Sequence, residues 1–192
     1  MKYLVKVAAF ALIFAAAATV GFGQDEKEDK EEKVHRFTAT AQGTKGAFAA
    51  RTVFLNFRIT KFTTDEEVME YIKILKEGGT NALRRKLEKV EVGRVYPSAG
   101  TGNDVAVARV RQTEKGYLVT FVTARRLGFF ELRQGSRSTD YPFGFFQILF
   151  DEDGKGKGQV LVATKFSFNK DNQFVIESLG DSPFRLVNVR HK

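Results

Sequence analysis

The sequence predicts an α+β fold: a mainly antiparallel β-sheet of about seven to nine strands, curled into a barrel or folded as a sandwich, with a helical hairpin inserted near its N-terminal end. Three observations carry this. Apolar residues alternate with a period of two in RTVFLNFRIT and in several segments after Gly93. One stretch alone, TTDEEVMEYIKILKEGGTNALRRKLEKV, has helical spacing. The joints TEKG, DEDGKGKG, NKDN and GDSP are short and rich in turn residues, which favours antiparallel neighbours.

Taken in order, residues 1–23 have the layout of a secretory signal peptide: Lys2 and Lys6, an apolar run of 14 residues from Val7 to Val20, then Gly21 and Gly23. The run is shorter than the ~20 residues a spanning helix requires. Export is therefore expected, to a periplasmic or extracellular location, with no transmembrane anchor in the mature chain. Residues 24–33, QDEKEDKEEK, hold six acids, three lysines and nothing apolar, and read as an acidic disordered spacer. The remainder, 34–192, is expected to be a single α+β domain. It is long enough for one core.

RFTATA and RTVFLNFRIT form the opening pair of strands across QGTKG, the second with Val53, Leu55, Phe57 and Ile59 on one face and Phe54, Asn56 and Arg58 on the other. Thr64 and Glu67 then have capping-box spacing, and Val68, Tyr71, Ile72 and Leu75 make one apolar stripe. Gly78 and Gly79 read as a stop, and Leu83, Leu87 and Val90 as the stripe of a second helix, hence the hairpin. After Gly93 the strands are DVAVARVRQ, YLVTFVTA, FGFFQILF, QVLVATKFSF, QFVIESL and PFRLVNVR. FGFFQILF is apolar on both faces and is expected between the sheet's core and the helices. QVLVATKFSF is expected to put Val160, Val162, Phe166 and Phe168 on one face. Leu127 to Arg133 is a candidate short edge strand.

Composition narrows function. The chain has no cysteine, which removes disulfides, thiolate metal sites and thiol nucleophiles. Net charge is +8, and with two lysines in the leader and −3 in the spacer the domain itself carries +9. Such a balance raises nucleic acid as a partner, but export argues against it. The anions on offer outside the cytoplasm are lipid head groups, acidic envelope polymers and small carboxylates.

Few residues carry recognisable chemistry. His35 and His191 lie at the two edges of the domain, and although they can meet in space, no Cys or clustered acid accompanies them; neither catalysis nor a metal is expected of them. Asp151, Glu152, Asp153 and Gly154 resemble the start of a calcium loop, but Lys155 and Lys157 occupy ligand positions, so a plain hairpin turn is expected. No phosphate loop or nucleophile elbow is present, and SAGTGND reads as a flexible loop. No cofactor and no catalytic residue are assigned, and the balance points away from an enzyme.

Arginines supply the one candidate site. Arg125 and Arg126 end a strand, and Arg133 and Arg137 flank the loop QGSRSTDYP, with Ser138, Asp140 and Tyr141 beside them. Guanidinium forks match carboxylate or phosphate, and the serine adds a hydroxyl donor. The plainer account pairs Arg126 or Arg137 with Glu131 or Asp140 to order the loop. A hydrolase built on Ser138, Asp140 and Tyr141 lacks a visible base.

The run from TDEEVMEYIKILKEGGTNALRRKL through RSTDYPF to PFRLVNVR resembles a family of exported bacterial proteins of unknown function, over roughly residues 58 to 190. The resemblance implies one recurring domain and carries over no functional residue. The functional expectation is an exported, non-enzymatic binding domain for an amphiphilic or anionic ligand, the sheet interior taking the apolar part. The alternative is an envelope or cell-surface interaction module with a basic face and no internal pocket.

Overall fold

The computed structural model describes residues 34–44, 49, 51–114, 116–128, 140–179 and 184–192. The expected leader and spacer lie outside these residues. Nine strands and one helix follow in the order β1 (His35–Gly43), β2 (Thr52–Ile59), α1 (Asp65–Leu87), β3 (Gly93–Pro97), β4 (Asn103–Thr113), β5 (Gly116–Thr123), β6 (Phe143–Phe150), β7 (Lys155–Phe168), β8 (Phe174–Ser178) and β9 (Phe184–His191).

Every pairing is antiparallel. Strands β1 to β7 each pair with the next, β2 with β3 across the inserted α1, and β9 inserts between β7 and β1, closing an eight-stranded barrel. Strand β8 stands outside the closure, paired only with the C-terminal half of β7, from Thr164 to Phe168. The barrel, not the sandwich, is therefore the form of the sheet. It explains how so phenylalanine-rich a chain hides its strand edges.

An eight-stranded barrel is just wide enough for side chains to fill it. Phe37, Phe57, Phe121, Phe146, Phe150 and Phe184 point inward, each almost wholly buried. Phe57 stacks on Phe121 with centroids 5.0 Å apart and meets Phe146 edge-on at 5.2 Å. Small residues make room for these rings. A Cβ at Gly158 would fall 2.0 Å from the Gln147 carbonyl oxygen, so only glycine lets β7 lie this close to β6.

A second core lies outside the barrel, between α1 and the outer faces of β4 to β8, where Tyr71, Leu75, Leu83 and Leu87 meet Val122, Phe143, Phe145 and Phe166. Strand β6 thus serves both cores, as its two apolar faces foretell. The capping box at the start of α1 is present: Glu67 N–H donates to Thr64 Oγ1 at 3.3 Å, and Thr64 N–H to Glu67 Oε2 at 2.8 Å.

Where a helical hairpin is expected, the chain forms a single element, α1, sharply bent at Gly79. Gly79 alone leaves helical geometry, at φ 68° and ψ −171°, and the helix resumes at once, with Thr80 Oγ1 donating to the Phe166 carbonyl at 2.9 Å. The change of direction at Gly79 is large: Lys86 Nζ lies 2.6 Å from Glu70 Oε1, sixteen residues back, so the two halves of α1 lie side by side. Both stripes therefore bury on the same wall.

Three strand readings also change. QVLVATKFSF is not one-sided: Phe143 pairs with Thr164 but Phe145 with Leu161, so β7 carries one extra residue between them. That bulge flips the face, leaving Val160 inside the barrel and Phe166 outside beneath α1. The joint DEDGKGKG shortens to Asp151–Gly154, with Lys155 N–H donating to Asp151 Oδ1 at 2.8 Å and strand β7 starting at Lys155. Strand β3 was not anticipated. Leu127, given to an edge strand, is instead buried inside the barrel in a non-strand segment, its N–H donating to Val162; the rest of that proposed strand, from 129 on, lies outside the described residues.

Candidate functional site

The helix covers the outer faces of β4 to β8, and among the described residues no helix covers the wall formed by β9, β1, β2 and β3. Outward positions there are mostly polar, with Phe54 the exposed exception, by the alternation that sends Phe37, Leu55, Phe57 and Val95 inward. Register decides what they form. Arg36 on β1 is the partner of Arg58 on β2, and Arg58 is the partner of Arg94 on β3.

Three exposed arginines thus stand abreast on adjacent strands, with strand-to-strand spacing of about 4.8 Å. At the end of the row Arg94 Nε meets Asp104 Oδ1 at 3.4 Å. Among the described residues neither Arg36 nor Arg58 makes an ion pair. One row along, Arg190 on β9 is the partner of both Thr38 and Lys155, and Arg185 is the partner of Gln42 and Gln159. Arg58, Thr60, Glu91, Arg94 and Tyr96 line a cavity of about 270 Å³ in this wall.

Like charges directly opposite in an antiparallel pair destabilise it. A row of them is chemically a set of forked, permanently charged donors held in line by backbone hydrogen bonds, suited to carboxylate or phosphate groups in series.

The arginines singled out in the sequence lie elsewhere. Arg125 and Arg126 follow β5 at the barrel end that also carries the β1–β2 and β3–β4 connections. Arg125 is exposed, and the Arg126 carbonyl accepts from Asn103 Nδ2 at 3.2 Å. Asp140 is exposed, and Tyr141 Oη donates to Glu177 Oε2 at 3.5 Å; burial and the Glu177 charge hold the Tyr141 hydroxyl above its ordinary pKa. Arg133, Arg137 and Ser138 lie outside the described residues. Arg36, Arg58 and Arg94 escaped notice because they are far apart in sequence. Alternation does place Arg58 outward, but only the register brings the three together.

Two other features complete the survey. Beneath α1, Val68, Tyr71, Leu75, Val122, Phe145 and Phe166 surround much of an apolar cavity of about 70 Å³, with Arg109, whose guanidinium reaches Asp65, also in its lining. The two histidines do meet: His35 Nδ1 lies 3.2 Å from His191 Nε2. No helix among the described residues is long and apolar enough to cross a membrane.

No family model, curated protein or solved structure matches this chain.

Proposed function

We propose that the protein is a non-enzymatic binding module, exported from the cell, whose open barrel wall docks on an acidic envelope polymer. The row Arg36–Arg58–Arg94 carries this reading, with Arg185, Arg190 and Lys155 extending the positive surface along β9 and β7. The residues inside the barrel are interleaved phenylalanines, which favours the outer wall over the interior as the place for a ligand. Export enters through the leader-like N-terminus and the resemblance to an exported family. An acidic polymer supplies the charge the wall lacks, and repeated anionic groups engage several arginines at once.

The test is binding of linear polyphosphate and of polygalacturonate, which separate phosphate from carboxylate preference. The account expects the wild-type chain to bind at low salt, and R36Q/R58Q/R94Q to lose at least about tenfold in affinity, roughly 1.4 kcal/mol. Unchanged affinity in that variant refutes the proposal.

A second reading, an amphiphile with its tail beneath α1 and its head near Arg109, is favoured by the apolar cavity there. At about 70 Å³ it is well short of the ~300 Å³ typical of small-molecule pockets and accommodates only a short aliphatic segment unless α1 moves. Added mass on the purified protein in native mass spectrometry would revive this reading.

A further inference from the structure

The histidine pair has no part in the arginine wall, and its geometry is specific. These are the chain's only two histidines, one in the first strand and one in the last. The fold makes those strands neighbours, and Phe37 on β1 is the partner of His191 on β9. Each imidazole is held by an aromatic neighbour: His191 stacks on Phe37 with centroids 4.4 Å apart and planes 14° apart, and His35 packs against Phe62 at 4.8 Å. The ring nitrogens that face each other, His35 Nδ1 and His191 Nε2, are 3.2 Å apart.

That separation fits a hydrogen bond between one N–H and one lone pair. It also fits a metal. Two nitrogens at the 2.0–2.1 Å bond length of a tetrahedral zinc site are about 3.3 Å apart, so the observed spacing already matches that of two ligands on one ion. We propose that His35 and His191 form a two-imidazole site for a borderline divalent cation of the zinc class, which clips the start of β1 to the end of β9.

Binding requires that neither facing nitrogen carry a proton. The proton shared between Nδ1 and Nε2 moves to the far nitrogen of its own ring, and both facing lone pairs then point at the ion. Among the described residues no group of three or more metal-type side chains exists, so the pair itself supplies two of the ion's positions. Such a site is weaker than a four-ligand structural one and acts on the folded barrel instead of creating it. Its effect falls on the seam between the first and last strands, where the ends of the chain hold the barrel shut.

The chain suits a clean test because it has no cysteine and no other histidine. Untagged full-length protein is titrated with zinc chloride by calorimetry while folded, and its thermal midpoint is followed with zinc or magnesium. The proposal expects one zinc per chain, a rise of about 3 °C or more at saturating zinc, no rise with magnesium, and loss of both zinc signals in H35Q and in H191Q. Calorimetry on the folded variants separates loss of the site from loss of stability. The absence of a zinc signal in the wild type overturns the proposal, as does a signal retained in the H35Q/H191Q double variant.

Discussion

Arg58 on β2 and Arg94 on β3 stand directly opposite each other in the antiparallel register, both exposed and with Asp104 reaching only the second of them. Repulsion at such a pair costs stability, so relieving it has a sign opposite to most substitutions. R58T, which keeps a strand-compatible side chain, is expected to stabilise the domain by about 0.2–1 kcal/mol at low salt while weakening polyanion binding. Urea unfolding at two ionic strengths checks this. The gain should shrink as salt screens the pair, and a destabilised R58T would show that the arginine serves the fold.

Interior packing gives the largest expected loss. Phe121 is fully buried and touches the rings of both Phe37 and Phe57. F121A is expected to cost about 3–5 kcal/mol by chemical denaturation. A loss under about 1 kcal/mol would mean that the barrel interior is not the core.

Gly79 holds a backbone conformation that only glycine adopts readily, and nothing lies within 4 Å of where a Cβ would be. The cost of G79A is therefore a backbone cost, about 1–3 kcal/mol, without a steric part. Equal stability of G79A and wild type would indicate that α1 tolerates running straight through the kink.

The start of α1 supplies a pH dependence. Lys61's hydrogen bond, with that from the Thr64 N–H, holds the Glu67 carboxyl below its ordinary pKa. A carboxylate lowered in the folded state stabilises fully above its unfolded pKa and loses that contribution as pH falls through the folded value. Stability measured from pH 7 down to pH 3 should therefore decline less steeply in E67Q than in wild type. T64A, which removes the cap, should cost about 1 kcal/mol at neutral pH.

Much of this architecture is legible in the chain because alternation is a local signal. Strands β1, β2 and β4 to β9 and the capping box at Thr64 follow from it, as does the double-sided burial of β6. What escapes is set by pairing. The five residues GRVYP are too short and end in a breaker, yet β2 and β4 hold them as β3. Asn188, at φ 52°, marks a bulge in β9 against both β1 and β7 that no period-two pattern announces. The arginine row escapes for the same reason. Arginines adjacent in sequence, Arg125 and Arg126, attract notice, whereas Arg36, Arg58 and Arg94 become neighbours only through two strand registers.

The central claim is that the wall of β1, β2 and β3 binds anions, and a parallel salt titration of polyphosphate binding tests it most directly. R36Q/R58Q/R94Q and the loop variant R125Q/R126Q/R133Q/R137Q are compared with wild type, plotting log affinity against log salt. The account predicts that the wall variant flattens the slope by about one unit per lost phosphate contact, while the loop variant keeps the wild-type slope. A flattened slope in the loop variant with an unchanged slope in the wall variant would contradict it.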